Sequence, residues 1–464
     1  MPETLDLFWP HEKATKSITK KRIKNLFIKI YLCPTKIKKN SQEQDKHIDL
    51  IAHPFHIKYK ERLSAPILAA IDNVMDNFYY FLNYNQFSFK EITLNVGLDM
   101  PADLHLSHIF IENIEANIFT HEAWFEKEAL IIEGDKKDFI GTCFYMINCL
   151  QEYTDTDPDE LGRFKFGNTY QAKFNCPEQN LVLSYFQEMA LIIFKQEIPL
   201  KPSQSLITHD IDFINNGWKK SLKKAIHSLH LNHLIKSIIN KIKGIDPHQN
   251  IQEILAIEKS ENIGSIFFFM TTKGSTEFDN IRNSDYSIDS AYIQNCMTQI
   301  NESSRHSIGL HKSISDNSFR EELSLLPAAH NRYHYLRFSI PESFQNLSES
   351  TIKYDYSLGF SEKIGFRNSY GLPFKPFDPV SQQYYDFWEF PLLIMDSSLH
   401  YFMGKTADSG KLKYIEDFIQ KNKYSTVISI LWHNDFFDSD SYGQLLKLIK
   451  NNTQVFHLNK RRAD

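Results

Sequence analysis

The stretch Ser205-Leu206-Ile207-Thr208-His209-Asp210-Ile211-Asp212-Phe213 decides how this chain is read. It opens as a short apolar run and closes on two acids one residue apart. A buried parallel strand that delivers carboxylates to its C-terminal edge has this form. A carboxylate taken out of water without a partner is costly. Two of them at one strand end therefore point to a metal, or to a working acid and base. Taken alone, Asp-x-Asp is read more simply as a helix cap or a solvated turn. The segments around it decide.

Downstream, helical and extended patterns alternate. Helical spacing over 251–259 is followed by the apolar run Ser265–Met270. Helices over 288–303, 319–329 and 342–350 are interleaved with strands at Ser307–His311 and Tyr335–Phe338. A late strand, Val427–His433, precedes a closing helix over 442–450. Repeated strand–helix units predict a parallel α/β domain, whose sites gather at the C-terminal ends of the strands. Asp210, Asp212, His311, His334 and His433 all fall at or near such ends. A lone histidine beside an apolar strand is ordinarily structural; the shared placement is the signal.

Upstream, residues 64–83 and 138–153 read as apolar helices, and 180–196 as a third. The interval 87–135 reads as strands, His108–Glu112 among them. The acidic loop 155–160 lacks the glycine and distant glutamate of a calcium loop and reads as a solvated turn. Pro199 and Pro202 punctuate the chain just before the Thr-His-Asp strand. The boundary is placed there: an α+β N-terminal domain over 1–199 and a second domain over 200–464.

At 464 residues with 42% hydrophobic content, the chain has ample core for two domains. A net charge of −5 offers no global field for nucleic acid. Five scattered cysteines, with no Cys-x-x-Cys pair, support neither a disulfide framework nor a cysteine zinc site. No uninterrupted apolar run is long enough for a membrane span. The N-terminus lacks the apolar core of a signal peptide. A reduced, cytoplasmic setting is expected. Lysines at 219, 220, 223, 224, 236, 241 and 243 make the insert 215–247 a solvated helical face, or else a peripheral contact with an acidic surface.

The order of motifs resembles the polysaccharide deacetylases, carbohydrate esterase family 4, in a bacterial branch with an extra N-terminal domain. The resemblance covers about 200–464 and implies a distorted (β/α) barrel. Thr208-His209-Asp210-Ile211-Asp212 resembles the first motif, which supplies a base aspartate and then a metal-binding one. Ile308-Gly309-Leu310-His311-Lys312-Ser313 resembles the second, except that Ser315 stands where a second histidine is expected. Phe366-Arg367-Asn368-Ser369-Tyr370-Gly371 resembles the third, whose arginine orients the base. Ile394-Met395-Asp396 stands at the fourth. Ile430-Leu431-Trp432-His433-Asn434 resembles the fifth, whose histidine is the general acid.

The resemblance implies hydrolysis of the N-acetyl group of an amino sugar, in a cell-surface glycan or its precursor, with a divalent metal. Zinc suits a set of oxygen and nitrogen ligands with one position left open. Asp212 and His311 supply two ligands. His334 is nominated as the third in place of the missing histidine, with His330 as a second candidate. Asp210 is the expected base, oriented by Arg367. His433 is the expected acid, with Asp396 setting its tautomer. Tyr370 and Trp432 are candidates for contact with a sugar face, core packing being the alternative. Two other readings stay open: a non-catalytic glycan-binding protein that lost its ligand set, and a hydrolase of another amide.

Overall fold

The first strand, β1 (Phe55–Tyr59), returns through helix α1 (Ala65–Tyr84) to β2 (Ile92–Gly97), which pairs in parallel with β1 and with β3 (Leu104–His105). The computed structural model describes residues 53–456 apart from 60, 100, 155–156, 216, 219–245, 277–280, 403 and 405–407. The N-terminal basic stretch, most of the lysine-rich insert and part of the acidic loop lie outside the described residues.

Helix α1 buries Ile67, Ile71, Val74, Phe78 and Leu82, an i, i+4, i+7 stripe. His108–Glu112, expected as a strand, belongs instead to helix α2 (His108–Glu115). The Ser107 hydroxyl accepts the Phe110 N–H at 3.0 Å and caps it. Phe110 and Ile114, four apart, then share the buried face. A five-residue β-branched and aromatic run fits both periods, so the cap decided. Helix α3 (Phe139–Ile147) is buried along its whole length, and α4 (Leu181–Phe194) packs beside it.

From residue 204 the chain builds a wholly parallel sheet. Its strands are β4 (Gln204–Ile211), β5 (Ser265–Phe269), β6 (Ser307–Lys312), β7 (His330–Tyr333), β8 (Tyr354–Asp355), β9 (Trp388–Glu389), β10 (Ile394–Met395), β11 (Val427–Leu431) and β12 (Gln454–Val455). Their order is β9-β8-β7-β6-β5-β4-β11-β10, with β12 also on β4. The two edge strands, β9 and β10, are separated in sequence by Phe390–Leu393 alone. A link of that length reaches at most roughly 18 Å, whereas eight flat strands would be about 34 Å wide. The sheet must therefore curl until its edges approach, which is the distorted (β/α) barrel expected.

Strand β7 lies five residues before the expected Tyr335–Phe338 strand. Tyr335 and Leu336 have φ of +57° and +54°, a left-handed turn that no strand can hold. The apolar alternation of Tyr-Leu-Arg-Phe imitates a strand there.

The α+β layer over 53–199 is fastened to the barrel through buried polar pairs. Arg367, 1% exposed, donates to Glu152 from Nε at 2.8 Å and from Nη2 at 2.6 Å, and to the Gly359 carbonyl at 3.0 Å. Gly365 sits at φ +137°, where a Cβ would lie 2.2 Å from the Pro177 carbonyl oxygen. Breaking a buried pair strands a charge, so Glu152→Ala should cost about 3–5 kcal/mol in urea unfolding. A loss within experimental error would mean that Arg367 finds another partner. Among the described residues, no helix is long and apolar enough to cross a membrane.

Candidate metal centre and active site

Alternation along β4 sorts its motif onto two faces. Thr208, Asp210 and Asp212 point into the barrel. His209 points outward to the helices, where Nδ1 meets the Trp432 carbonyl at 2.8 Å and Nε2 meets Glu258 Oε1 at 3.0 Å. His209 is a structural residue.

His311 is the next-to-last residue of β6, and His334 follows β7 directly. With Asp212 they form a buried group able to hold a metal ion. His311 Nδ1 is bonded to the Arg332 carbonyl at 2.9 Å, and His334 Nε2 to the Arg282 carbonyl at 2.9 Å. A carbonyl only accepts, so each ring uses its outer nitrogen as donor, and the inner nitrogens face each other. His311 Nε2 and His334 Nδ1 stand 3.1 Å apart. Asp212 Oδ1 lies 3.3 Å from the first and 3.7 Å from the second. This oxygen is buried and accepts no well-formed hydrogen bond. Two imidazole lone pairs and a carboxylate oxygen repel at such distances unless something positive lies between them. That is either a shared proton or a metal cation. The triangle of the three atoms has a circumradius of about 2.0 Å, which matches zinc–nitrogen and zinc–oxygen bonds of roughly 2.0–2.2 Å.

Charge follows the same geometry. Burial raises the Asp212 carboxyl, but His334 and His311 outweigh it and hold the acid well below the usual range. Burial pushes His334 down to about 4, as suits a neutral ligand. Burial also lowers His311, but Asp210 and Asp212 reverse the sign and raise it.

Asp210 lies beside the cluster, with Oδ2 3.5 Å from His311 Nε2. Its other oxygen accepts from Arg332 Nη1 at 3.2 Å. Arg332, wholly buried, also bonds Thr208 Oγ1 at 2.9 Å and the Tyr356 carbonyl at 3.1 Å, and its guanidinium lies 4.8 Å from the Phe268 ring. Strands β4 and β7 have two strands between them, so only a curled sheet lets one side chain join them. Here the expected assignment changes: Arg367 is taken up by Glu152, and Arg332 is the arginine on Asp210. The signal was present in Arg332-Tyr333-His334, a basic residue at the end of a strand.

His433 follows β11. Its Nδ1 lies 2.6 Å from Asp396 Oδ1, and its backbone N–H donates to Asp396 Oδ2 at 2.8 Å. Asp396 follows β10 directly and is fully buried. Burial lowers the imidazole, but Asp396 outweighs it, Asp212 and Asp210 add to the rise, and the ring is pushed up to about 10. His330 is not brought to the cluster; its Nδ1 bonds the Tyr356 hydroxyl at 3.0 Å. Tyr370 is buried against Phe186 and Phe374, and Trp432 is 2% exposed beside Tyr442. Rings closed off in this way have no free face for a sugar, so both serve as core.

No family model and no curated protein matches the sequence. Among solved structures, the chain is similar to a Mycobacterium smegmatis protein named as a polysaccharide deacetylase. The identity is 11% and the TM-score 0.36, over 55% of this chain and 87% of that one. It is also similar to a pseudoenzyme of carbohydrate esterase family 4 from Bacillus anthracis. That match has 8% identity and a TM-score of 0.24, over 55% of this chain and 63% of that one. The chemistry of this chain is read from its own residues.

Proposed function

We propose that this chain is a metal-dependent hydrolase of the polysaccharide deacetylase kind, removing the N-acetyl group from an amino sugar of a bacterial glycan or glycan precursor. The observation that carries this is the facing pair of inner nitrogens, His311 Nε2 and His334 Nδ1, closed into a triangle by the orphaned Asp212 oxygen. The place of His334 beside His311 and Asp212 supports it as the ligand in place of the histidine missing at Ser315, and favours this reading over a non-catalytic one. Asp212, His311 and His334 would hold a divalent ion, zinc by the donor set, which would supply polarisation of the acetyl carbonyl and a more acidic water. Asp210, pinned by Arg332, would take the proton of the attacking water. His433, with Nδ1 committed to Asp396, presents Nε2 to the leaving amine and gives it the proton without which it leaves poorly.

The test is release of acetate from acetylated amino sugars by zinc-loaded protein, beside a panel of small acetamides and cyclic amides. Turnover of the amides alone would select the other-amide reading. Metal bound with no turnover of any substrate would select the non-catalytic one. Asp396→Asn removes the largest influence raising His433, so its proton should be lost at lower pH. The alkaline limb of kcat/KM should move toward neutrality while the acid limb stays. An unmoved alkaline limb would separate it from His433.

The division at 199/200 and a cytoplasmic setting belong to the same reading. Limited proteolysis between Glu197 and Gln204 checks the first, and fractionation of the source cells checks the second.

A further inference from the structure

After β5 the chain brings the backbone of Arg282 back to the candidate metal centre. Lys273 pairs with Ser284, and Ser275 with Arg282, in isolated bridges. The Arg282 carbonyl is the acceptor that fixes His334 Nε2. Asn283 exchanges two 2.9 Å hydrogen bonds with the backbone of Ile314, three residues beyond His311. The backbone of Arg282 is therefore tied to the segments that carry two of the three candidate ligands.

Its side chain is disposed differently. The guanidinium carbon lies 4.4 Å from the ring centroid of Phe213, the residue after Asp212. Phe213 is itself held by its carbonyl, which accepts from Asn434 Nδ2 at 2.6 Å, one residue past His433. Arg282 is exposed, and among the described residues no carboxylate pairs with it. A guanidinium held over a ring face can still offer N–H donors to a planar or tetrahedral oxyanion. Beside it stands Tyr335, 39% exposed, its ring 4.0 Å from His334 and its backbone left-handed. A non-glycine residue is held in that conformation only when its surroundings over-determine it, and such residues cluster at functional sites.

We propose that Arg282 is a specificity residue at the mouth of the metal centre, selecting acetylated amino sugars that carry an oxyanion, either a phosphate or a carboxylate. This rests on the hydrolase reading above for the reaction, though not for the binding. Arg332 and His433 serve the reacting group inside the barrel; Arg282 faces outward and would meet a neighbouring part of the substrate.

The test compares wild type, Arg282→Ala and Arg282→Lys, as full-length zinc-loaded proteins. Each is given three probes: N-acetylglucosamine, its 1-phosphate, and N-acetylmuramic acid. A charge-assisted hydrogen bond ordinarily amounts to about 10-fold or more. Wild type should favour a charged probe in KM by that factor. Arg282→Ala should erase the preference between charged and neutral probes, and Arg282→Lys should retain part of it. The phosphate and carboxylate arms separate the two sources of charge. Equal KM for charged and neutral probes in wild type would overturn the proposal and leave the hydrolase reading standing, as would equal effects of Arg282→Ala on all three. If wild type deacetylates nothing, the hydrolase reading fails and calorimetric binding of the same probes decides. Tighter binding of a charged probe to wild type than to Arg282→Ala supports the assignment, and equal binding overturns it.

Discussion

Asp212→Ala is expected to empty the metal centre. Wild type should carry about one divalent ion per chain, as a site of this composition does, and the variant essentially none by elemental analysis after dialysis. Affinity should fall by more than the roughly 10–100-fold that follows loss of an outer-shell partner, because a bonded oxygen is removed outright. The fold should survive, since Asp212 Oδ1 takes no well-formed hydrogen bond; an unchanged far-ultraviolet circular dichroism spectrum checks this. His311→Ala should behave alike. His334→Ala is the sharper variant, because His334 is the ligand proposed in place of the histidine that this chain lacks at Ser315. Metal retained by His334→Ala would remove His334 as a ligand while leaving Asp212 and His311 in place. Metal retained by Asp212→Ala and by His311→Ala would dismiss the site.

Asp210→Asn should keep the metal and lose about 10²–10⁴ in turnover, the usual worth of a positioned acid or base. The amide is nearly the shape of the carboxylate, and its oxygen can still accept from Arg332, but it cannot take a proton at neutral pH. Metal content separates the two roles open to Asp210, whose Oδ2 lies 3.5 Å from His311 Nε2. If the ion leaves with this substitution, Asp210 is a ligand and not the base. His433→Ala completes the pair. It should slow amide substrates much more than activated acetyl esters, because a good leaving group departs without a proton. Equal slowing of both classes would end its assignment as general acid.

Much of this site was legible in the linear chain. Asp210 and Asp212 are two apart, and a strand period of two puts them on one face whatever the rest of the fold does. His311 and His433 lie at the ends of apolar runs, whereas His334 follows the polar strand β7, and a wholly parallel sheet carries all three strand ends to one rim. The wholly parallel sheet was itself predictable from the alternation of strands and helices after residue 204. The short segment His108–Glu112 was not, because five residues satisfy two periods and the Ser107 cap resolves them.

The partners were decided only in three dimensions. Arg332 and Arg367 both sit in motif-like surroundings, and no spacing says which one reaches Asp210. Curling the sheet brings β7 across the interior to β4 and gives the place to Arg332; Glu152, from the layer before residue 200, takes Arg367. Likewise Tyr370 and Trp432 look like sugar platforms in sequence, but the fold closes both into the core. Strand period is local and is written residue by residue, whereas ion pairing and burial depend on which distant segments the barrel brings within a few ångströms.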